Sequence, residues 1–124
     1  MGSQEEERSI YYQAFTRDGF RCVFCHRDIL ESFDTFAASH LDHLKPKSNG
    51  GPDDDIWNRV TSCGVCNSIK GGFDPLPGVI VTSDNFENAI DLAREHVIAK
   101  RYGKKPCSYY RDYWYWLKES GRHG

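Results

Sequence analysis

Ser39-His40-Leu41-Asp42-His43-Leu44-Lys45-Pro46 and Asn58-Arg59-Val60-Thr61-Ser62-Cys63-Gly64-Val65-Cys66-Asn67-Ser68-Ile69-Lys70 are the two runs whose reading decides the fold. In the first, Leu41 alternates with His40 and Asp42, the period of a half-buried strand, so a strand is predicted over 37–44. On a strand Asp42 and His43 face opposite ways, and His40 shares a side with Asp42. A second short strand is predicted over 56–62, anchored by Ile56, Trp57 and Val60. A short helix is predicted to begin at Asn67 and to stop at Gly71-Gly72. Between the strands, 45–52 carries Pro, Asn and Gly-Gly and is predicted as loop; the three aspartates at 53–55 continue it or cap a helical turn.

Working outward, Cys22-Val23-Phe24-Cys25 and Cys63-Gly64-Val65-Cys66 are two Cys-x-x-Cys pairs among five cysteines. A secreted disulfide scaffold favours an even count and a leader, and a redox dithiol needs only one pair near a βαβ pattern. Two pairs suit a tetrahedral structural zinc site and a reducing, intracellular (cytoplasmic) compartment. Full thiolate coordination leaves no open position, so this ion is expected to be structural. The rival is a redox dithiol protein, free of zinc. His26 is expected to be a solvated loop residue and Cys107 an ordinary thiol.

A helix is predicted over 5–16, ended by Asp18-Gly19, and 29–36 is open between a turn and a strand start. Val79-Ile80-Val81 is predicted as a short extended segment. After it, Ser83 or Asp84 is expected to cap a helix, with Glu87 completing a capping box. Phe86, Ile90, Ala93 and Val97 recur at helical spacing, and Gly103 ends that run. Pro106 suits the first turn of a last helix, on which Tyr110, Tyr113, Trp114 and Leu117 form an apolar face expected to pack on the helix before it. The chain of 124 residues is thus expected to be a single domain, 1–124, with a core over about 8–72 and a helical extension over about 83–119. A mean hydropathy of −0.66 and the lack of a long apolar stretch exclude a membrane span, so no membrane partner is expected. The net charge of −2 provides no global basic field, so any nucleic-acid binding must come from a local patch.

Taken in order, Arg17-Asp18-Gly19-Phe20-Arg21-Cys22-Val23-Phe24-Cys25, Asp42-His43-Leu44-Lys45-Pro46-Lys47-Ser48-Asn49-Gly50-Gly51, Asn58-Arg59-Val60-Thr61-Ser62-Cys63 and Cys66-Asn67-Ser68-Ile69-Lys70-Gly71 resemble the HNH endonucleases of the ββα-metal superfamily (the His-Me finger nucleases), in their zinc-stabilised form. The likeness covers about 8–72, and its ordered combination is specific where Asp-His alone is weak. The run His40-Leu41-Asp42-His43 is also similar, more locally, to the strand of phage junction-resolving nucleases. The fold implied is α+β: a small ββα-metal core with a structural zinc on Cys22, Cys25, Cys63 and Cys66, flanked by an N-terminal helix and C-terminal helices.

The residues support the same chemistry on their own. Phosphodiester hydrolysis needs a nucleophile, neutralisation at phosphorus and help for the leaving oxygen. Asp42 offers a hard oxygen ligand and Asn67 a neutral one for Mg2+ or Mn2+, leaving positions for water and substrate. An imidazole at His43 is suited to take a proton from water at neutral pH. The resemblance assigns these same roles, makes Asn58 an orienting residue behind His43, and implies cleavage of DNA to a 5′-phosphate and a 3′-hydroxyl. Lys45, Lys47 and Lys70 are expected to hold phosphates, with His40 as a further phosphate contact or ligand. The substrate implied is double-stranded or branched DNA, and cutting both strands takes a homodimer or two visits.

Each assignment has a plain rival. Asp42-His43 also suits a surface ion pair, Asn67 a helix cap, Asn58 a turn residue, His40 an ordinary strand histidine, and the lysines solvated side chains. The alternative function is a non-catalytic zinc module that binds nucleic acid or protein on the same scaffold.

Overall fold

The computed structural model describes residues 3–103 and 109–122, with side chains over 9–103 and 111–122. Pro106, Cys107 and the side chain of Tyr110 lie outside that description. Helix α1 (Ser3–Arg17) turns its buried Ala14 inward and ends where the chain enters the left-handed region at Gly19 and Phe20. The first cysteine pair follows as a tight knuckle: Cys22 N donates to Arg27 O at 2.9 Å, His26 N donates to Cys22 O at 2.8 Å, and His26 has φ +65°.

Helix α2 (Phe33–Ala38) occupies part of the stretch left open between turn and strand start, and it takes the first two residues of the predicted first strand. Ser32 is the reason: its hydroxyl accepts from Thr35 N at 3.0 Å, and Asp34 sits in the first turn, where a carboxylate offsets the unpaired amides. Strand β1 is therefore shorter than predicted, His40–His43. Strand β2 (Arg59–Ser62) pairs with it antiparallel, setting His40 against Ser62, Leu41 against Thr61, Asp42 against Val60 and His43 against Arg59. Residues Ile56–Asn58, predicted as strand, form a 3-10 turn, because the Asp55 carboxylate accepts from Trp57 N at 3.0 Å and captures the chain first.

Helix α3 (Gly64–Lys70) starts three residues before the prediction, with Cys63 Sγ accepting from Cys66 N at its start and Gly71 at φ +49° after it. The ββα order β1–β2–α3 is thus present. Residues 79–81 form no strand among the described residues and carry no regular structure; the turn comes after them at 83–85, where Asn85 donates to Ile80 O at 3.0 Å and accepts from Thr82 N at 2.7 Å. The same residue is the N-cap of α4 (Phe86–Tyr102), in place of Ser83 or Asp84. Helix α5 (Tyr109–Glu119) closes the described chain. Its Tyr113, Trp114, Tyr115 and Trp116 are exposed, so the expected aromatic packing on the preceding helix is only partial.

One apolar cluster holds these elements together. Val23 and Phe24 of the knuckle, Leu44, Val60 and Ile69 of the ββα unit, and Phe86, Ala89, Ile90, Ala93 and Val97 of α4 are all buried in it. Helix α4 is therefore part of the core that supports the ββα unit, and no helix among the described residues is long and apolar enough to cross a membrane.

Candidate metal centres and candidate active site

Strand β2 is pinned from outside the sheet at Arg59 and Thr61. At the end of α1, Arg17 donates to Ile56 O at 2.7 Å and Arg59 O at 2.6 Å, while Asp18 accepts from Thr61 N at 2.9 Å. The knuckle adds Val23 N to Thr61 O at 3.0 Å. Strand β2 is thus bound to β1 on one edge and to the N-terminal elements on the other.

The sulfurs of Cys22, Cys25, Cys63 and Cys66 lie within 4.8 Å of one another. Cys25 and Cys63 Sγ are 3.7 Å apart. That is too long for a disulfide, which needs about 2.05 Å. It matches a tetrahedron with zinc–sulfur bonds of about 2.3 Å, whose edge is about 3.8 Å. All four cysteines are free, and three are buried. Their mutual hydrogen bonds push the Cys66 thiol up, the contact with Cys22 contributing most, and hold the Cys63 thiol down, so the four sulfurs do not ionise alike. The donor set fits zinc. Arg101, on the far helix α4, donates to Cys66 Sγ at 3.2 Å and approaches Cys63 Sγ at 3.7 Å. Burial alone would lower its pKa, but these sulfur contacts raise it, so its charge stays on. Nothing in the sequence signals Arg101, which stands 35 positions from Cys66.

Asp42 and His43 diverge as alternation requires. Asp42 turns toward α3: its Oδ2 is 3.8 Å from Lys70 Nζ, and that oxygen is buried with no hydrogen-bond partner among the described residues. Burial pushes the Asp42 carboxyl up, partly opposed by the charge of Lys70. A buried carboxylate oxygen left without a donor is costly unless a cation or a ligand satisfies it. Asn67 precedes Lys70 by three residues on α3 and so lies on the same side of that helix as Lys70, the residue 3.8 Å from Asp42. The pair fits a divalent ion with oxygen ligands.

His43 turns the other way, toward the loop. Its Nε2 lies 2.5 Å from Asp53 Oδ1. Behind it, the fully buried Asn58 accepts from Lys45 N at 2.7 Å and donates to Lys45 O at 3.0 Å and Pro52 O at 3.1 Å. A Cβ at Gly51 would lie 1.8 Å from Lys45 O, so only glycine lets the loop close onto this bracket.

Two of the three lysines face inward, against expectation. Lys45 is buried, with Nζ donating to Asp74 at 2.7 Å and Leu76 O at 2.9 Å. Lys70 is buried too, donating to His43 O at 2.8 Å. Neither presents an ammonium to an external phosphate; both brace the site from inside. Lys47 is exposed and paired with Asp53 at 3.0 Å, and His40 is exposed. The expected basic patch therefore shrinks to Lys47 and its surroundings. No sequence motif singles out Asp53 or Asp74; the acidic run at 53–55, two residues past Gly51, is the one signal that marks the first of them.

Residues 22–73 match the family model described as HNH endonuclease. Over 60 residues the chain is 33% identical to a CRISPR-associated endonuclease Cas9 from Corynebacterium diphtheriae. That match spans 48% of this chain and 5% of the relative. No solved structure matches significantly.

Proposed function

We propose, from the HNH endonuclease segment at residues 22–73 with its four-cysteine centre, that this chain hydrolyses phosphodiester bonds of DNA in a divalent-metal-dependent reaction. The observation that carries the reading is the buried carboxylate oxygen of Asp42, next to His43 on β1, which faces Lys70 Nζ at 3.8 Å but has no hydrogen-bond partner among the described residues. Asp42 and Asn67 would hold Mg2+ or Mn2+. Such an ion supplies positive charge to the phosphate and to the leaving oxygen. His43 takes the proton of the attacking water, which generates the nucleophile in place. Asn58 acts behind it, holding the Lys45 and Pro52 backbone so that the loop keeps its distance from His43. Lys70 donates to the His43 carbonyl and stands beside Asp42, tying α3 to β1. Lys47 and His40, both exposed, would meet phosphates. Cys22, Cys25, Cys63 and Cys66 would hold zinc as a clip between the knuckle and the start of α3.

The test is plasmid nicking with Mg2+ or Mn2+ and an EDTA control. Wild-type chain nicks, EDTA stops it, and His43→Ala loses activity while retaining fold and DNA binding. Asp42→Ala and Asn67→Ala shift the metal titration to higher concentration. Cleavage by His43→Ala at the wild-type rate overturns the base assignment, and absence of any cutting by folded wild-type protein favours a non-catalytic zinc module. Linear and branched duplexes run in parallel identify the preferred substrate, and a protein-concentration series shows whether double-strand cutting needs two copies.

A further inference from the structure

None of the roles above uses Asp53, although it makes the contact to the ring of His43. The loop that carries it is exposed, yet its backbone is fastened on both sides. Asn58 Nδ2 donates to Pro52 O at 3.1 Å, and Arg59 donates to Asp53 O at 2.5 Å and to Leu41 O at 3.1 Å. Lys47 Nζ takes Asp53 Oδ2 at 3.0 Å, which leaves Oδ1 to Nε2 of His43 at 2.5 Å. A loose surface aspartate has no such supports.

We infer that Asp53 is a positioning residue that keeps the His43 proton on Nε2 and so leaves the Nδ1 lone pair as the acceptor for the water proton. This rests on His43 being the base. An ionised carboxylate only accepts, so the shared proton is the ring's. Hydrogen bonds from His43 and then Lys47 pull Asp53 down to about 2, so it is ionised throughout the neutral range. A neutral imidazole has one N–H and one lone pair, and fixing the first fixes the second. In the hydrolytic step one water O–H bond breaks and its proton goes to Nδ1. The water oxygen bonds to phosphorus, and the 3′-oxygen leaves with the electron pair of its P–O bond. The Nε2 proton stays in place, shared with Asp53. A carboxylate beside a phosphate-binding surface repels substrate, and Lys47 at 3.0 Å and Arg59 at 3.9 Å offset that charge.

The experiment joins kinetics to a spectroscopic signature on the full chain. Histidine-labelled protein is read by 15N–1H correlation at a pH where the ring is neutral, with His43→Ala identifying the His43 signals. Wild type is expected in the Nε2–H form, and Asp53→Ala in a mixture of tautomers. Asp53→Asn and Asp53→Ala are expected to lower kcat by roughly 10- to 100-fold, within the range general-base catalysis contributes. KM should stay equal or fall, because a negative charge has left the DNA-facing side. Asp53→Glu restores part of the rate. Unchanged tautomer, or kcat within about twofold of wild type in Asp53→Asn and Asp53→Ala, overturns this inference while His43→Ala still lacks activity. A raised KM with kcat retained also overturns it. His43→Ala cutting at full rate overturns both this inference and the assignment it rests on.

Discussion

The amide of Asn58 makes three hydrogen bonds from a fully buried position, and every one goes to the backbone of the loop between the strands. Replacing it by alanine leaves the Lys45 N–H, the Lys45 carbonyl and the Pro52 carbonyl without a partner. Each buried polar group so abandoned costs about 1–3 kcal/mol. Asn58→Ala is therefore expected to lose at least ~2 kcal/mol, seen as a lower urea midpoint, and to cut slowly because the loop behind His43 loosens. A variant with wild-type stability and wild-type rate would show that Asn58 is a turn residue only. The lysines teach the opposite lesson at the same scale. A lysine in a nuclease-like sequence reads as a phosphate ligand, since lysine is rarely buried without a partner. Lys45 finds its partner in Asp74 and Lys70 finds His43 O, 29 and 27 positions away. No local pattern announces a partner at that separation.

Elements here are short, so what ties them matters more than what they contain. The two knuckles fasten the start of the ββα unit to its end, and four sulfurs within 4.8 Å do so with few residues. Structural zinc contributes directly to folding. Cys25→Ser is expected to lower zinc content and melting temperature together, by metal analysis and calorimetry. A zinc-free variant as stable as wild type would show that the cluster is not a clip. Arg101→Ala should speed zinc loss to a chelator, because it removes the cation facing Cys63 and Cys66. A second tie is the Lys45–Asp74 pair at 2.7 Å, which joins the inter-strand loop to the segment after α3. Burial alone would raise Asp74, but hydrogen bonds from Lys45 and Asn49 hold its folded pKa below the unfolded value. Its contribution to stability is thus fully present above about pH 3.9 and is lost as pH falls through the lower folded value. Asp74→Ala should cost roughly 3 kcal/mol at pH 7 and less at a pH low enough to protonate the carboxylate. An equal cost at both pH values would mean that the carboxylate's charge plays no part.

On the scale of the whole molecule, strands β1 and β2 rest on a core that helix α4 completes, and α4 lies outside the matched segment. Residues 22–73 carry the match, while Val81, Phe86, Ala89, Ile90, Ala93 and Val97 complete the core. A ββα unit this small buries little apolar surface alone, so it needs a staple and a covering helix. A chain ended after Gly72 is expected to lose cooperative unfolding even with zinc present, as followed by circular dichroism and amide spectra. A sharp melt from that fragment would show that α4 is only an appendage. Phe86→Ala, at the start of α4, should cost about 3–5 kcal/mol in the full chain.

Some of this was legible from the sequence alone, because it follows from nearest neighbours. The spacing of the cysteine pairs is a local property, and so is the alternation that separates Asp42 from His43 across β1. So are the helical recurrences at Phe86, Ile90, Ala93 and Val97, all of which are buried. The boundaries were less legible where a side chain competes with the pattern. Ser32 makes a helix before β1, and Asp55 makes a turn before β2. Tertiary structure alone decided which charges face outward and which brace the interior. It buried Lys45 and Lys70, set Arg101 against the sulfurs and folded Asp53 back onto His43. The physical reason is that a buried charge survives only beside its partner, and those partners are brought together by the core and the sheet, not by the order of residues along the chain.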